Sequence, residues 1–261
     1  AMEKKLKNRN TAGVFAVAVI YAVFKIGLMH GAPFHGFSDA FMNMIYSPAS
    51  VEGALLSFVI ALILPMALQN LTASSVTEDF TGAVENILPR AGTLRRWFFG
   101  KVRQLLSACT AAVSTVTLCI VGYSAYRYGM PSKNDWRILL TVFGTTLLFC
   151  FCAVLFVNVL SVAVAEKWAC FAGLAGMLLC AAVIYPTRRC LPLLLANPIY
   201  NYFVLWRKNA WFFQIGYDAE FTQGDFLPVE TAVLLFAVCA AAEILIGLAI
   251  LRKKDFLSCG R

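Results

Sequence analysis

The run from Ile138 to Ala165 reads ILLTVFGTTLLFCFCAVLFVNVLSVAVA and contains no charged residue. A helix needs roughly 20 apolar residues to cross the hydrocarbon core of a bilayer, so this run is long enough to do so. Five more runs have the same character: Ala12 to Met29, Gly53 to Leu71, Leu105 to Tyr123, Trp168 to Pro186, and Thr231 to Leu251. Only Lys25 and Glu243 carry charge inside the six. Hydrocarbon rather than water is the solvent such segments suit. Composition agrees, with 60% hydrophobic residues, 14% charged residues and a mean hydropathy of +0.74. Soluble chains are nearer a quarter charged, which excludes a soluble globular domain, a disordered chain and a disulfide-rich secreted module. Six crossings use most of the 261 residues. No room remains for a soluble catalytic domain of roughly 100 residues. The expected fold is all-α, a single polytopic transmembrane domain over 1–261 with six transmembrane helices.

Charge sets the expected orientation, because short loops rich in Lys and Arg stay in the cytoplasm. With the N-terminus inside, 14 of the 22 basic residues fall on the cytoplasmic side, among them Lys4, Arg95, Lys167 and Lys253, against six acidic ones. The outside loops carry seven basic and seven acidic residues. The net charge of +8 is therefore a topology signal, and no nucleic-acid partner is expected. Both termini are placed in the cytoplasm and the protein in the cell membrane. The first run lacks a small-residue cleavage site after it and is read as a retained helix. The fourth and fifth runs meet at Glu166 and Lys167, which implies a tight helical hairpin.

Metal and redox chemistry find little support. Seven of the nine cysteines lie within the apolar runs, where a thiol acts as a small hydrophobe; Cys190 stands alone outside and Cys259 alone in the tail. The two histidines, His30 and His35, have no cysteine beside them to complete a metal site. No metal is expected.

Two connections carry the rest of the information. The outside segment 187–228 holds Leu191 to Ala196, a break at Asn197-Pro198, and then Tyr200, Tyr202, Phe203, Trp206, Trp211, Phe212, Phe213 and Tyr217. Its apolar pieces are too short to cross, and its Trp and Tyr suit the headgroup interface. It is read as a re-entrant segment, which either closes an exit route or only anchors the last two helices. In the inside loop 72–103, Glu78 and Asp79 favour a helix start and Pro89 a stop. Ala83, Val84, Ile87 and Leu88 form an apolar stripe between them that a membrane surface or a partner protein could cover. Trp97, Phe98 and Phe99 beside Arg95 and Arg96 suggest an interfacial elbow before the third span.

At this loop the chain resembles the permease subunits of type-2 ABC exporters. The family pattern of an acid, a Gly, a second acid, a hydrophobic pair before Pro, a basic residue and a closing Gly-Lys is matched by Glu78, Gly82, Glu85, Ile87 with Leu88, Pro89, Arg90 or Arg95, and Gly100-Lys101. The tail Arg252-Lys253-Lys254-Asp255-Phe256 resembles the end of the family's last helix. The resemblance implies a cytoplasmic coupling helix between helices 2 and 3, with Glu78, Asp79, Gly82, Glu85, Leu88 and Pro89 docking on a separate ABC ATPase subunit that binds ATP and Mg. It also implies a second permease copy or a related permease. The chain itself is then no enzyme and binds no cofactor. Gly100-Lys101 is followed by Val102, with Arg95 where a phosphate loop would have its first Gly, so the pair is no ATP site. His-Glu-x-x-His is also missing, and Gly122-Tyr-Ser-Ala lacks the second Gly of a nucleophile motif, which weakens a membrane-enzyme reading.

Lys25 and Glu243 are the candidates for a translocation path, since an ionisable group in a span is costly and tends to have a purpose. Lys25 lies near the outer end and could snorkel; Glu243 could touch a polar substrate, form a bridge or sit as a protonated structural acid. The compact size resembles permeases for antimicrobial peptides or small lipophilic compounds. The rival reading is a membrane sensor or immunity protein that binds a peptide outside without transport.

Overall fold

The computed structural model describes residues 2–30, 34, 36–46, 54–73, 75–77, 94–187, 190–203 and 229–258. Among these, all regular structure is helical. The long helices are α1 (Met2–Met29), α3 (Ala54–Thr72), α4 (Leu94–Tyr128), α5 (Lys133–Ala163), α6 (Glu166–Thr187) and α9 (Val229–Ser258). Three short ones join them: α2 (Phe37–Tyr46), α7 (Leu191–Ala196) and α8 (Pro198–Tyr202). Five helices are long and apolar enough to cross a membrane, and α1 contributes a shorter apolar stretch, Ala12–Leu28.

Contacts between helices show that the chain reverses direction at each long helix. Gly13 lies against Leu71, while Tyr21 donates to the Ile60 carbonyl, so α1 and α3 are antiparallel. Gln69 pairs with Ala153 and Val76 with Asn158, so α3 and α5 run the same way. Cys152 meets Phe236, and Val159 meets Gly247, so α9 runs with them. Phe98 near the start of α4 sits over Gly247 in the second half of α9, which sets α4 in the opposite direction. The start of α1, the end of α3, the start of α4, the α5–α6 turn and the end of α9 therefore share one end of the bundle, called the basal end below. The far end holds α2, α7 and α8.

At the centre stands α5, packed against α2, α3, α4, α6, α8 and α9. Its start is set by a capping box: the Asp135 backbone N–H donates to the Ser132 hydroxyl, and the Ser132 backbone N–H donates to the Asp135 carboxylate at 2.7 Å. It ends at Val164, in extended backbone, with its N–H on the Leu160 carbonyl. Val164 and Ala165 form the whole turn into α6. Glu166 and Lys167, expected in that turn, instead open α6, where the Glu166 carboxylate favours the N-terminal dipole.

Two stretches depart from the sequence expectation. The elbow at Trp97 to Phe99 does not form, since α4 is helical from Leu94 onward. Arg95, Arg96 and Arg103 are exposed while Phe98, Val102 and Leu105 are buried, an amphipathic pattern that carries the helix past the apolar run. The second departure is α2, in a connection where no helix was expected. Phe37, Ala40, Phe41, Met44 and Ile45 recur at helical spacing, with Asp39 in the first turn. Ala40, Phe41, Met42 and Met44 are each 0% exposed, so neighbours cover α2 on every side.

Candidate functional site

The residues expected to couple to an ATPase, Glu78, Asp79, Gly82, Glu85, Leu88 and Pro89, lie outside the described residues, as do Trp206, Trp211, Phe212, Phe213 and Tyr217 of the segment 187–228. The described chain reaches the edge of the first stretch at Thr77, and its attachment there is defined by hydrogen bonds. After α3 ends at Thr72, whose hydroxyl donates to the Leu68 carbonyl at 2.7 Å, the backbone turns at Ala73 and becomes helical again over 75–77. A new helical turn exposes backbone N–H groups that need acceptors. The side-chain carbonyl of Asn158 on α5 accepts the Val76 N–H at 3.3 Å. Its amide N–H donates back to the Val154 carbonyl at 2.9 Å. Ser161 donates to the Asn158 carbonyl at 2.8 Å, which leaves its oxygen to accept the Thr77 hydroxyl at 2.7 Å. Asn158 is 0% exposed and Ser161 2%, so water does not compete for these bonds.

One turn and a half further into the bundle, Gln69 on α3 donates to the Ala153 carbonyl of α5 at 3.1 Å. Its Oε1 is buried with no hydrogen-bond partner among the described residues. Gly173 of α6 closes over this side chain: a Cβ there would lie 2.5 Å from the Val157 methyl and 3.2 Å from the Gln69 amide nitrogen. A glycine is needed for three helices to approach so closely.

Lys25 and Glu243 are not brought together. Lys25 is 0% exposed on α1, so its side chain stays within the bundle and does not snorkel to the interface. The main packing partners of α1 are α2, α3 and α4, whereas those of α9 are α4, α5 and α8. Glu243 is half-buried beside Cys152 and Cys239, and its Oε2 is buried with no hydrogen-bond partner among the described residues. All eight described cysteines are free. His30 hydrogen-bonds through Nδ1 to the Tyr123 hydroxyl at 2.9 Å, tying α1 to α4; His35 lies outside the described residues.

The far end is held by a second set of polar contacts. Ser38 of α2 donates its hydroxyl to the Asp135 carboxylate at the start of α5. Partial burial alone would raise the Asp135 carboxyl, but this bond and those from Ser132 outweigh it and hold the group below its ordinary value of 3.8. Asn197, between α7 and α8, accepts from the Ile199 and Tyr200 backbone N–H groups and donates to the Cys180 carbonyl of α6 at 2.7 Å. Pro198 at the first helical position suits a helix start. Tyr202 then stacks on Phe149 of α5 with ring centroids 4.4 Å apart, and Phe149 meets Phe236 of α9 at 5.7 Å. Ile199, Tyr202 and Phe203 are buried, so α8 belongs to the bundle and is no surface loop.

Reading the sequence for charge picked out Lys25 and Glu243 but passed over Gln69, Asn158, Ser161, Asp135 and Ser38. For Gln69 and Asn158 the available signal was an uncharged amide inside an apolar run, because in hydrocarbon such a group seeks another helix. No family model, curated protein or solved structure matches the chain.

Proposed function

We propose that the chain is the membrane-spanning permease subunit of an ATP-driven exporter with six crossings, and that it moves a peptide or small lipophilic compound out of the cell. What carries the reading is the match of Glu78, Gly82, Glu85, Pro89 and Gly100-Lys101 to the exporter coupling pattern. That stretch leaves the bundle at its basal end, where Arg95, Arg96, Lys101, Arg103, Lys167, Arg252 and Lys253 also lie. Positive charge gathered at one end is what a cytoplasmic face requires. The loop 72–103, with residues 78–93 at its centre, then carries the coupling helix for a separate ATPase subunit with ATP and Mg, and the segment 187–228, which includes α7 and α8, is the re-entrant segment on the outside. Two permeases, identical or related, complete the assembly.

The test is co-expression with ABC ATPase subunits encoded in the same genome. The ATPase should copurify with the wild-type chain, and Glu78→Lys with Glu85→Lys should abolish both association and ATP hydrolysis by the complex. A chain that purifies alone and binds an extracellular peptide would instead identify a sensor or immunity protein.

A further inference from the structure

We infer that α5 acts as a rod connecting the base of the 78–93 segment to α2, with Asn158 and Ser161 as positioning residues at one end and Asp135 at the other. The inference rests on the exporter reading above and adds the route by which motion crosses the bundle.

At the basal end, the last described residues before the segment are Val76 and Thr77, and both hydrogen-bond to α5. Packing alone would allow that turn to slide along α5, whereas two directional bonds to buried acceptors fix its register. Asn158 is suited to this because its amide donates to its own helix and its carbonyl is left for Val76. Ser161, one turn on, uses its proton on the Asn158 backbone carbonyl and its lone pair on Thr77. A displacement of residues 75–77 is thereby passed to α5 through these bonds, beside the backbone that joins the turn to α3.

From Ser161 to Asp135 the helix runs 26 residues, or about 39 Å at 1.5 Å per residue. No proline or glycine lies between them except Gly144, and the backbone is helical throughout. At the far end Asp135 holds Ser38, the second residue of α2. The position of α2 gives that contact its consequence: a ten-residue helix outside the long apolar runs is surrounded by α1, α3, α4 and α5. A shift of α5 along its axis would pull on the one short helix inserted among the four at that end.

Coupling between distant sites is shown by a cycle, in which perturbing one end changes the response to perturbing the other. Ser38→Cys with Asp135→Cys, joined by a short reducible bis-methanethiosulfonate reagent, pins α2 to α5; the parent chain with all its native cysteines is the control for the reagent. ATP hydrolysis by the permease–ATPase complex in proteoliposomes is the readout. With Asn158 present, bridging should lower turnover at least about fivefold, reversed by reductant. With Asn158→Leu, the same bridge should lower it less than about twofold. Asn158→Asp, which keeps the acceptor, should restore the response, and Gln69→Leu, which cuts a different α3–α5 bond, should leave it intact. Equal inhibition with and without Asn158, or none in either, overturns the rod. If Asn158→Leu fails to assemble, Ser161→Ala decides by the same comparison. Loss of copurification by the wild-type chain would overturn the exporter reading itself, a separate and earlier outcome.

Discussion

The two helices α5 and α9 are both strongly apolar, yet 67% of the apolar stretch of α5 is buried within the protein and only 17% of that of α9. Burial therefore did not follow hydrophobicity. In water an apolar face gains by leaving solvent, but in hydrocarbon a lipid tail covers it as well as another helix does. What distinguishes α5 is its polar content, since Thr145, Thr146, Asn158 and Ser161 are all buried. Three of them bond to other residues, and Asn158 and Ser161 reach another helical segment. On α9, by contrast, Leu234, Val238, Leu245 and Ile246 are more than half exposed. Buried polar side chains mark the centre of this bundle, and purely apolar faces are left outside.

Substitutions can break that contrast at several points. The largest effect is expected at Leu155, fully buried on α5, where Leu155→Ala should cost about 2–5 kcal/mol through the cavity it leaves, toward the lower value because lipid supplies no hydrophobic penalty. Thermal unfolding in nanodiscs measures it. Gly173→Leu comes next at about 1–3 kcal/mol, since the new Cβ would overlap the Val157 methyl and press on Gln69. Asn158→Leu should cost about 0.6–1.7 kcal/mol, the range for interhelical hydrogen bonds in membranes, with the Val76 amide left without its acceptor.

Asp135 gives a smaller effect with a defined pH profile. Its carboxyl is held below 3.8, so the stability it contributes is fully present above that value and is lost as pH falls through the lowered one. The difference in melting temperature between wild type and Asp135→Asn should be flat from neutral pH to about pH 5 and vanish in stronger acid. A difference that grew on acidification would contradict the bonding described for Ser38 and Ser132. At the other extreme, Leu245→Ala, on a side chain 67% exposed, should stay within about 0.5 kcal/mol. A loss there comparable to that at Leu155 would show that α9 is covered by another protein surface in the native state.

The long helices were legible because uncharged apolar runs have few other readings. Trp168 to Pro186 lies within α6 with two residues added before and one after. Helices that extend past their apolar run were harder: α4 begins at Leu94, well before Leu105, because Arg95, Arg96, Lys101 and Arg103 are good helix formers that can face water. The short helix α2 was missed although its spacing was present, since a stretch of ten residues is overshadowed by the runs around it. Of the site, charge pointed to Lys25 and Glu243, which sit on helices whose main partners have only α4 in common. The amides that join helices, Gln69, Asn158, Asn197 and Asn201, carry no charge, and their importance depends on what three-dimensional packing sets opposite them.

The account turns on which end of the bundle faces the cytoplasm, and two native cysteines can report it. Cys190, exposed after α6, belongs to the far end, and α9 ends at the basal end with Ser258, the residue before Cys259 in the sequence. Two variants, each retaining one of these as its single cysteine, would be treated in intact cells with a membrane-impermeant maleimide. The account predicts that Cys190 is labelled and that Cys259 is labelled only after the cells are opened. Labelling of Cys259 in intact cells, with Cys190 protected, would place residues 78–93 outside, where no ATPase could reach them.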